Sequence, residues 1–171
     1  RCKTEEFSRI LQFARDASPL FNVTTDLIVG CPGETEDEWQ QTMNYVENTG
    51  FGHMHIFSFS PRAGTKAARL PDQIDKETKK VRSRQMHELA ARLKNAELKK
   101  SVGHSASVLW EQQINVETGM WSGYTPEYHK VVSSESGIQE ASISDVTIDQ
   151  VSADGLTLVS RVNQKEIQSF F

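Results

Sequence analysis

The sequence predicts an α/β segment followed by a small all-β barrel. Three observations carry that prediction: helix-period and strand-period runs alternate up to about residue 103, the helical period then disappears, and short β-rich runs separated by glycines fill the remainder. A chain of 171 residues, 37% of them hydrophobic, can bury a real core in one ordinary domain or two small ones.

Each element has its own signal. Thr4 can cap a first helix in which Phe7, Ile10, Leu11 and Ala14 keep helical spacing, and Ser18-Pro19 ends it. Val23, Leu27, Ile28 and Val29 flank the polar Thr24-Thr25-Asp26 in a short strand. Thr35 followed by Glu38 matches a capping box, and Trp39, Met43 and Val46 fall at i, i+4 and i+7, which predicts a helix over 36–48. Residues 53–59 alternate as a second strand. A long helix is expected from about Asp75 to Val102, with Gly103 suited to its stop. Beyond it, 106–110, 130–133, 141–151 and 156–162 read as strands of a small antiparallel barrel. The predicted domains are therefore 1–103 and 104–171.

Composition narrows the function classes. No run approaches the roughly 18 apolar residues of a membrane span, and no charged-then-apolar leader opens the chain, so a cytoplasmic protein without membrane contact is expected. Cys2 and Cys31 match no zinc or cluster spacing and read as two free thiols. The opening RCKTEEF runs straight into a helix start, as expected of a piece of a longer polypeptide. The formal charge of −4 is segregated: residues 1–65 carry 5 basic and 9 acidic groups, 66–100 carry 11 and 5, and 104–171 carry 3 and 9. The basic block reads either as a solvated helix face or as a polyanion site.

The stretch TTDLIVGCPGETEDEW, residues 24–39, runs from strand through a turn into a helix. In a parallel α/β sheet the ligand edge lies at the C-terminal ends of the strands. Gly30 to Glu34 fall at that edge, where glycines admit close backbone approach and a helix start offers unpaired N–H groups. A plain βα turn explains the same residues. Ser60-Pro61-Arg62-Ala63-Gly64-Thr65 ends the second strand, and its Arg62 suits a carboxylate or phosphate as well as a loop salt bridge. His53 and His55 share a strand face without a third ligand and are assigned no metal and no catalysis.

Together, DLIVGCPGETEDEW and GFGHMHIFSFSPRAGTKAA resemble the last part of the radical S-adenosylmethionine barrel of the tRNA methylthiotransferase family, closest to its threonylcarbamoyladenosine-modifying branch. That family has an IVGxPGE-type loop, a helix, and a last strand ending in an S-x-R-x-GT-type segment. WSGYTPEYHKV at 121–131 resembles its terminal TRAM module, an OB-like RNA-associated barrel. The resemblance implies the C-terminal part of a (β/α)6 barrel followed by TRAM. It also implies an enzyme that uses S-adenosylmethionine and [4Fe-4S] clusters to add a 2-methylthio group to a modified adenosine in a tRNA anticodon loop. The cluster motif C-x-x-x-C-x-x-C is absent from these residues, so the chain is expected to be inactive alone and to need an N-terminal half, with sulfur donor and reductant unidentified.

By the same resemblance Ile28, Gly30, Pro32 and Glu34 would line the adenosyl side of the cofactor site, with Asp26, Phe57, Ser58, Ser60 and Arg62 around it. Asp26 reads equally as a polar barrel-mouth residue, and Phe57 as core. Cys31 stands where the family usually has Phe, and a small thiol packed in a buried turn is expected there. RNA contacts would come from Lys79, Lys80, Arg82 and Arg84, helped by Arg92, Lys94, Lys99 and Lys100, and from Trp121, Tyr124, Tyr128 and Lys130 of an otherwise acidic barrel. Trp121 and Tyr128 read equally as barrel core. Two alternatives stay open: a noncatalytic RNA-binding or assembly fragment, and the sister branch that modifies a ribosomal-protein aspartate. Half a barrel exposes strand edges and apolar interior, so the isolated chain is expected to aggregate or oligomerise.

Overall fold

A computed structural model describes residues 4–168, with backbone alone for 162–168; Cys2 lies outside the described residues. The chain divides into two compact units, one of residues 23–93 and the other of residues up to 22 together with 94 onwards.

The 23–93 unit is α/β. Strand β1 (Thr24–Val29) pairs in parallel with β2 (His53–Ser58), Thr24 opposite His53 and Val29 opposite Ser58. Between them runs helix α1 (Glu36–Thr49). Its capping box is complete: the Glu38 N–H donates to Thr35 Oγ1 at 3.2 Å and the Thr35 N–H to Glu38 Oε2 at 2.9 Å. These hydrogen bonds, the one from the Thr35 backbone foremost, hold the Glu38 carboxyl below its ordinary range. Gly50 ends the helix in the left-handed conformation, its N–H donating to the Val46 carbonyl. Helix α2 (Lys76–Lys100) starts on Asp75, whose carboxylate accepts from the Glu77 and Thr78 N–H groups. Arg82, Met86 and Leu89, at i, i+4 and i+7, form its buried stripe in this unit, where Val29, Trp39, Val46 and Met54 are also buried.

In the other unit, the helix Thr4–Ala17 buries Leu11 and leaves Ile10 and Phe13 exposed. Five strands, β3 (Ser105–Asn115), β4 (Met120–Tyr124), β5 (Lys130–Ser133), β6 (Ile143–Val151) and β7 (Leu158–Gln168), close into a barrel in the order β3-β4-β5-β7-β6. The barrel is mixed and not antiparallel throughout, because a closed ring of five strands cannot alternate direction all the way round. The parallel pair is β5 with β7. Val108, Trp110, Val131, Val146, Ile148 and Leu158 fill the interior with Leu98 from α2. The Trp110 indole N–H is satisfied by Ser144 Oγ at 2.7 Å. Strand β4 was not foreseen, since Gly119 and Gly123 read as separators. Gly123 is instead a strand residue facing Trp110 of β3, where a Cβ would stand 2.2 Å from the Leu109 carbonyl oxygen.

Candidate functional site

Parallel pairing sends the two following loops out of the same sheet edge, and the Phe59 N–H extends the ladder to the Val29 carbonyl at 2.9 Å. Alternation along the strands then sorts the side chains. Asp26 and Ile28 of β1 and His55 and Phe57 of β2 lie on one exposed face, Asp26 in register with His55 and Ile28 with Phe57. Ile28 is 54% and Phe57 53% exposed, so neither is core in this unit. At the C-terminal end of that face Ile28, Phe57, Ser58, Ser60 and Arg62 line one hollow of about 390 Å³. An apolar side chain, an aromatic ring, two hydroxyls and a guanidinium suit a flat heterocycle carrying polar substituents.

Gly30, Pro32 and Glu34 are not among the residues lining this hollow. Gly30 is buried with φ +73°, and a Cβ there would stand 2.5 Å from Cγ of Lys79. Glu34 turns inward: its Oε2 accepts from the Gly30 N–H at 3.1 Å and from Arg82 Nη1 at 2.8 Å, and Arg82 also donates to the Glu34 carbonyl at 3.1 Å and to Glu36 at 3.0 Å. Arg82 lies 5.6 Å from the Trp39 ring, and the Trp39 indole N–H donates to Gln85 at 3.0 Å. The expectation that Arg82 belongs to an exposed RNA-binding stripe is therefore corrected: it is 5% exposed and committed to fixing the turn. Cys31 is corrected too. The buried part of the turn is Gly30 with the Glu34 side chain, and Cys31 is exposed. Partial desolvation and the Glu34 charge push its thiol up, with Lys79 opposing.

A second, larger hollow of about 810 Å³ lies between the post-β2 loop and α2. Lys76, Lys79, Lys80, Arg84 and His87 line it from the helix, and Ser60 from the loop. Lys79 Nζ donates to the Phe59 carbonyl at 3.1 Å, while Lys80 and Arg84 are exposed. Lys76 and His87 were not singled out from the sequence, although with Lys80 and Arg84 they follow i, i+4 and i+3 steps along one helix face. The remaining cations of the block are dispersed: Arg92 pairs with Glu47, Lys100 with Glu97, and Lys94 is partly buried.

In the barrel, Trp121 packs against the core. Tyr124 and Tyr128 stack at 4.9 Å with an interplanar angle of 25°, Tyr128 on the surface, and Lys130 is half-buried. Among the described residues no group of three or more His, Cys, Asp or Glu could hold a metal ion, and no helix is long and apolar enough to cross a membrane.

No protein-family model matches the chain. Individual curated proteins do. The chain is 38% identical over 129 residues to a tRNA-2-methylthio-N(6)-dimethylallyladenosine synthase of Oceanobacillus iheyensis, covering 75% of this chain and 25% of that protein. It is 36% identical over 137 residues to the threonylcarbamoyladenosine tRNA methylthiotransferase MtaB of Thermotoga maritima, covering 79% and 31%. It is 35% identical over 120 residues to the ribosomal protein uS12 methylthiotransferase RimO of a Synechococcus strain, covering 70% and 26%. These relatives are methylthiotransferases on different substrates, and the chain spans between 25% and 31% of their lengths.

Proposed function

We propose that this chain is the C-terminal portion of a cytoplasmic tRNA methylthiotransferase of the radical S-adenosylmethionine class. Residues 1–103 would then be the end of a (β/α)6-type barrel with its connecting helix, and 104–171 a TRAM-type barrel. The observation that carries the reading is that Ile28, Phe57, Ser58, Ser60 and Arg62 meet in one hollow at the C-terminal edge of a parallel strand pair. That is where an adenosyl ligand fits such a fold.

The residues present fit S-adenosylmethionine in part. Ile28 and Phe57 would flank the adenine, Ser58 and Ser60 would offer hydroxyls to it, and Arg62 would take the carboxylate. Gly30, Pro32 and Glu34 would act through the shape of their turn. When bound, the cofactor supplies one-electron chemistry and the methyl group. The [4Fe-4S] clusters do not fit this chain: its two cysteines, Cys2 and Cys31, are too few for a site of three thiolates, so the cluster ligands would belong elsewhere in the polypeptide and the chain alone would be inactive.

The basic hollow favours an RNA substrate over a protein one, since Lys76, Lys80 and Arg84 would take phosphates flanking the target base. Within the tRNA enzymes the reading taken is the threonylcarbamoyladenosine branch, which DLIVGCPGETEDEW and GFGHMHIFSFSPRAGTKAA most resemble. Mass spectrometry of tRNA nucleosides from a deletion strain tests this: loss of the 2-methylthio group from threonylcarbamoyladenosine is expected. Loss from dimethylallyladenosine, or loss of methylthiolation on uS12, would transfer the chain to the corresponding sister branch.

A further inference from the structure

The turn joining β4 to β5 contains a residue its geometry does not favour. The Tyr128 N–H donates to the Thr125 carbonyl at 2.9 Å and the Thr125 N–H to the His129 carbonyl at 3.0 Å, a tight turn whose last residue must be left-handed. Glycine or asparagine normally stands there. Here it is Tyr128, at φ +65°, a conformation in which the Cβ of a bulky residue is crowded by its own backbone. Burial does not offset that cost, because Tyr128 is 75% exposed. One face of its ring leans on Tyr124, and the pair presents aromatic surface to solvent.

We propose that Tyr124 and Tyr128 form a stacking platform for an unpaired nucleobase of the RNA substrate. The inference rests on the RNA reading above and deepens it. Residues 104–171 carry 3 basic and 9 acidic groups, and Glu127 adjoins the platform, so this barrel is poorly equipped to hold phosphates. Stacking on a flat ring needs no positive charge and tolerates any base. The acidic barrel thus contributes affinity through a ring face, while the phosphate contacts fall to the α2 hollow.

The 171-residue chain is titrated with a fluorescein-labelled oligoadenosine and with an anticodon stem-loop RNA, by fluorescence anisotropy at several salt concentrations. Tyr128→Gly is the informative variant, because glycine accepts this φ and the barrel should melt no lower than wild type; Tyr128→Asn, also at ease there, serves as its replicate. Both should bind roughly 5- to 100-fold more weakly, with the slope of log Kd against log salt unchanged. Tyr128→Phe, which keeps the ring, should stay within about twofold of wild type. Unchanged affinity in Tyr128→Gly, weakening accompanied by a shallower salt slope, or a lowered melting temperature in both replacements would overturn the platform. If the wild-type chain binds neither RNA, the RNA reading fails with it.

Discussion

Arg82 fixes Glu34 between its own guanidinium and the Gly30 N–H, and a carboxylate so enclosed depends on that one cation. Arg82→Ala leaves Glu34 largely buried and unpaired, and should destabilise the 23–93 unit by about 3 kcal/mol. Urea denaturation followed by tryptophan fluorescence would measure the loss, and Glu34→Gln should suffer less because Arg82 keeps the Glu36 carboxylate as its counter-ion. The same arginine marks what the sequence did and did not disclose. Its positive charge groups it with Lys79, Lys80 and Arg84, yet its i, i+4, i+7 spacing with Met86 and Leu89 places it on the helix's buried stripe, and the spacing prevails. Cys31 is exposed for a related reason, since the direction of a turn residue depends on which neighbour fills the interior, and here the Glu34 side chain does. His129, buried in the barrel, makes a pH prediction. Burial holds its imidazole below the ordinary value, helped by Lys94 and Lys100 and opposed by Glu97 and Glu127. The unfolded chain therefore binds the proton more readily, so this contribution is intact above about pH 6.5 and is lost as pH falls from there through the depressed folded value. The barrel's melting temperature should drop over that window, and His129→Gln should flatten the dependence.

At the scale of elements, helix starts were the most legible features, because a capping box is a local contract between two side chains and two N–H groups. Thr35→Ala should cost about 1 kcal/mol, read from the urea midpoint, without altering the strands. Strand starts and ends were legible where apolar and polar residues alternate, as at 53–58 and 130–133. Strand β4 escaped because its pairing depends on a missing side chain, a requirement set by a partner strand and invisible in one dimension. Gly123→Ala tests that requirement: its methyl group would press on the Leu109 backbone, and a loss of at least about 2 kcal/mol is expected with disturbance of the Trp110 near-ultraviolet signal. The sequence predicts a boundary at 103, where the helix ends; the compact units meet between residues 22 and 23 and again between 93 and 94, inside α2. Periodicity reports where a helix stops and cannot report where its packing partners change.

The whole molecule carries an imbalance between its two units. Among the described residues β1 and β2 pair with each other and with no third strand, and Ile28 and Phe57 stand exposed beside them. With Ile10 and Phe13 also uncovered, the isolated chain should self-associate, visible as concentration-dependent elution in size-exclusion chromatography. Ile28→Ser with Phe57→Ser should reduce that association while leaving the barrel's melting transition in place. The barrel has no such open edge, and its closure has a consequence for biosynthesis. Leu158 and Val159 must dock beside Val131 and Val132 to complete the ring, and β7 is the last strand to be made. During synthesis the ring therefore stays open, whatever the other four strands have formed, until β7 is available to close it. Truncation before Leu158 should therefore abolish the barrel's cooperative melting transition, measured by circular dichroism, and not merely lower its midpoint.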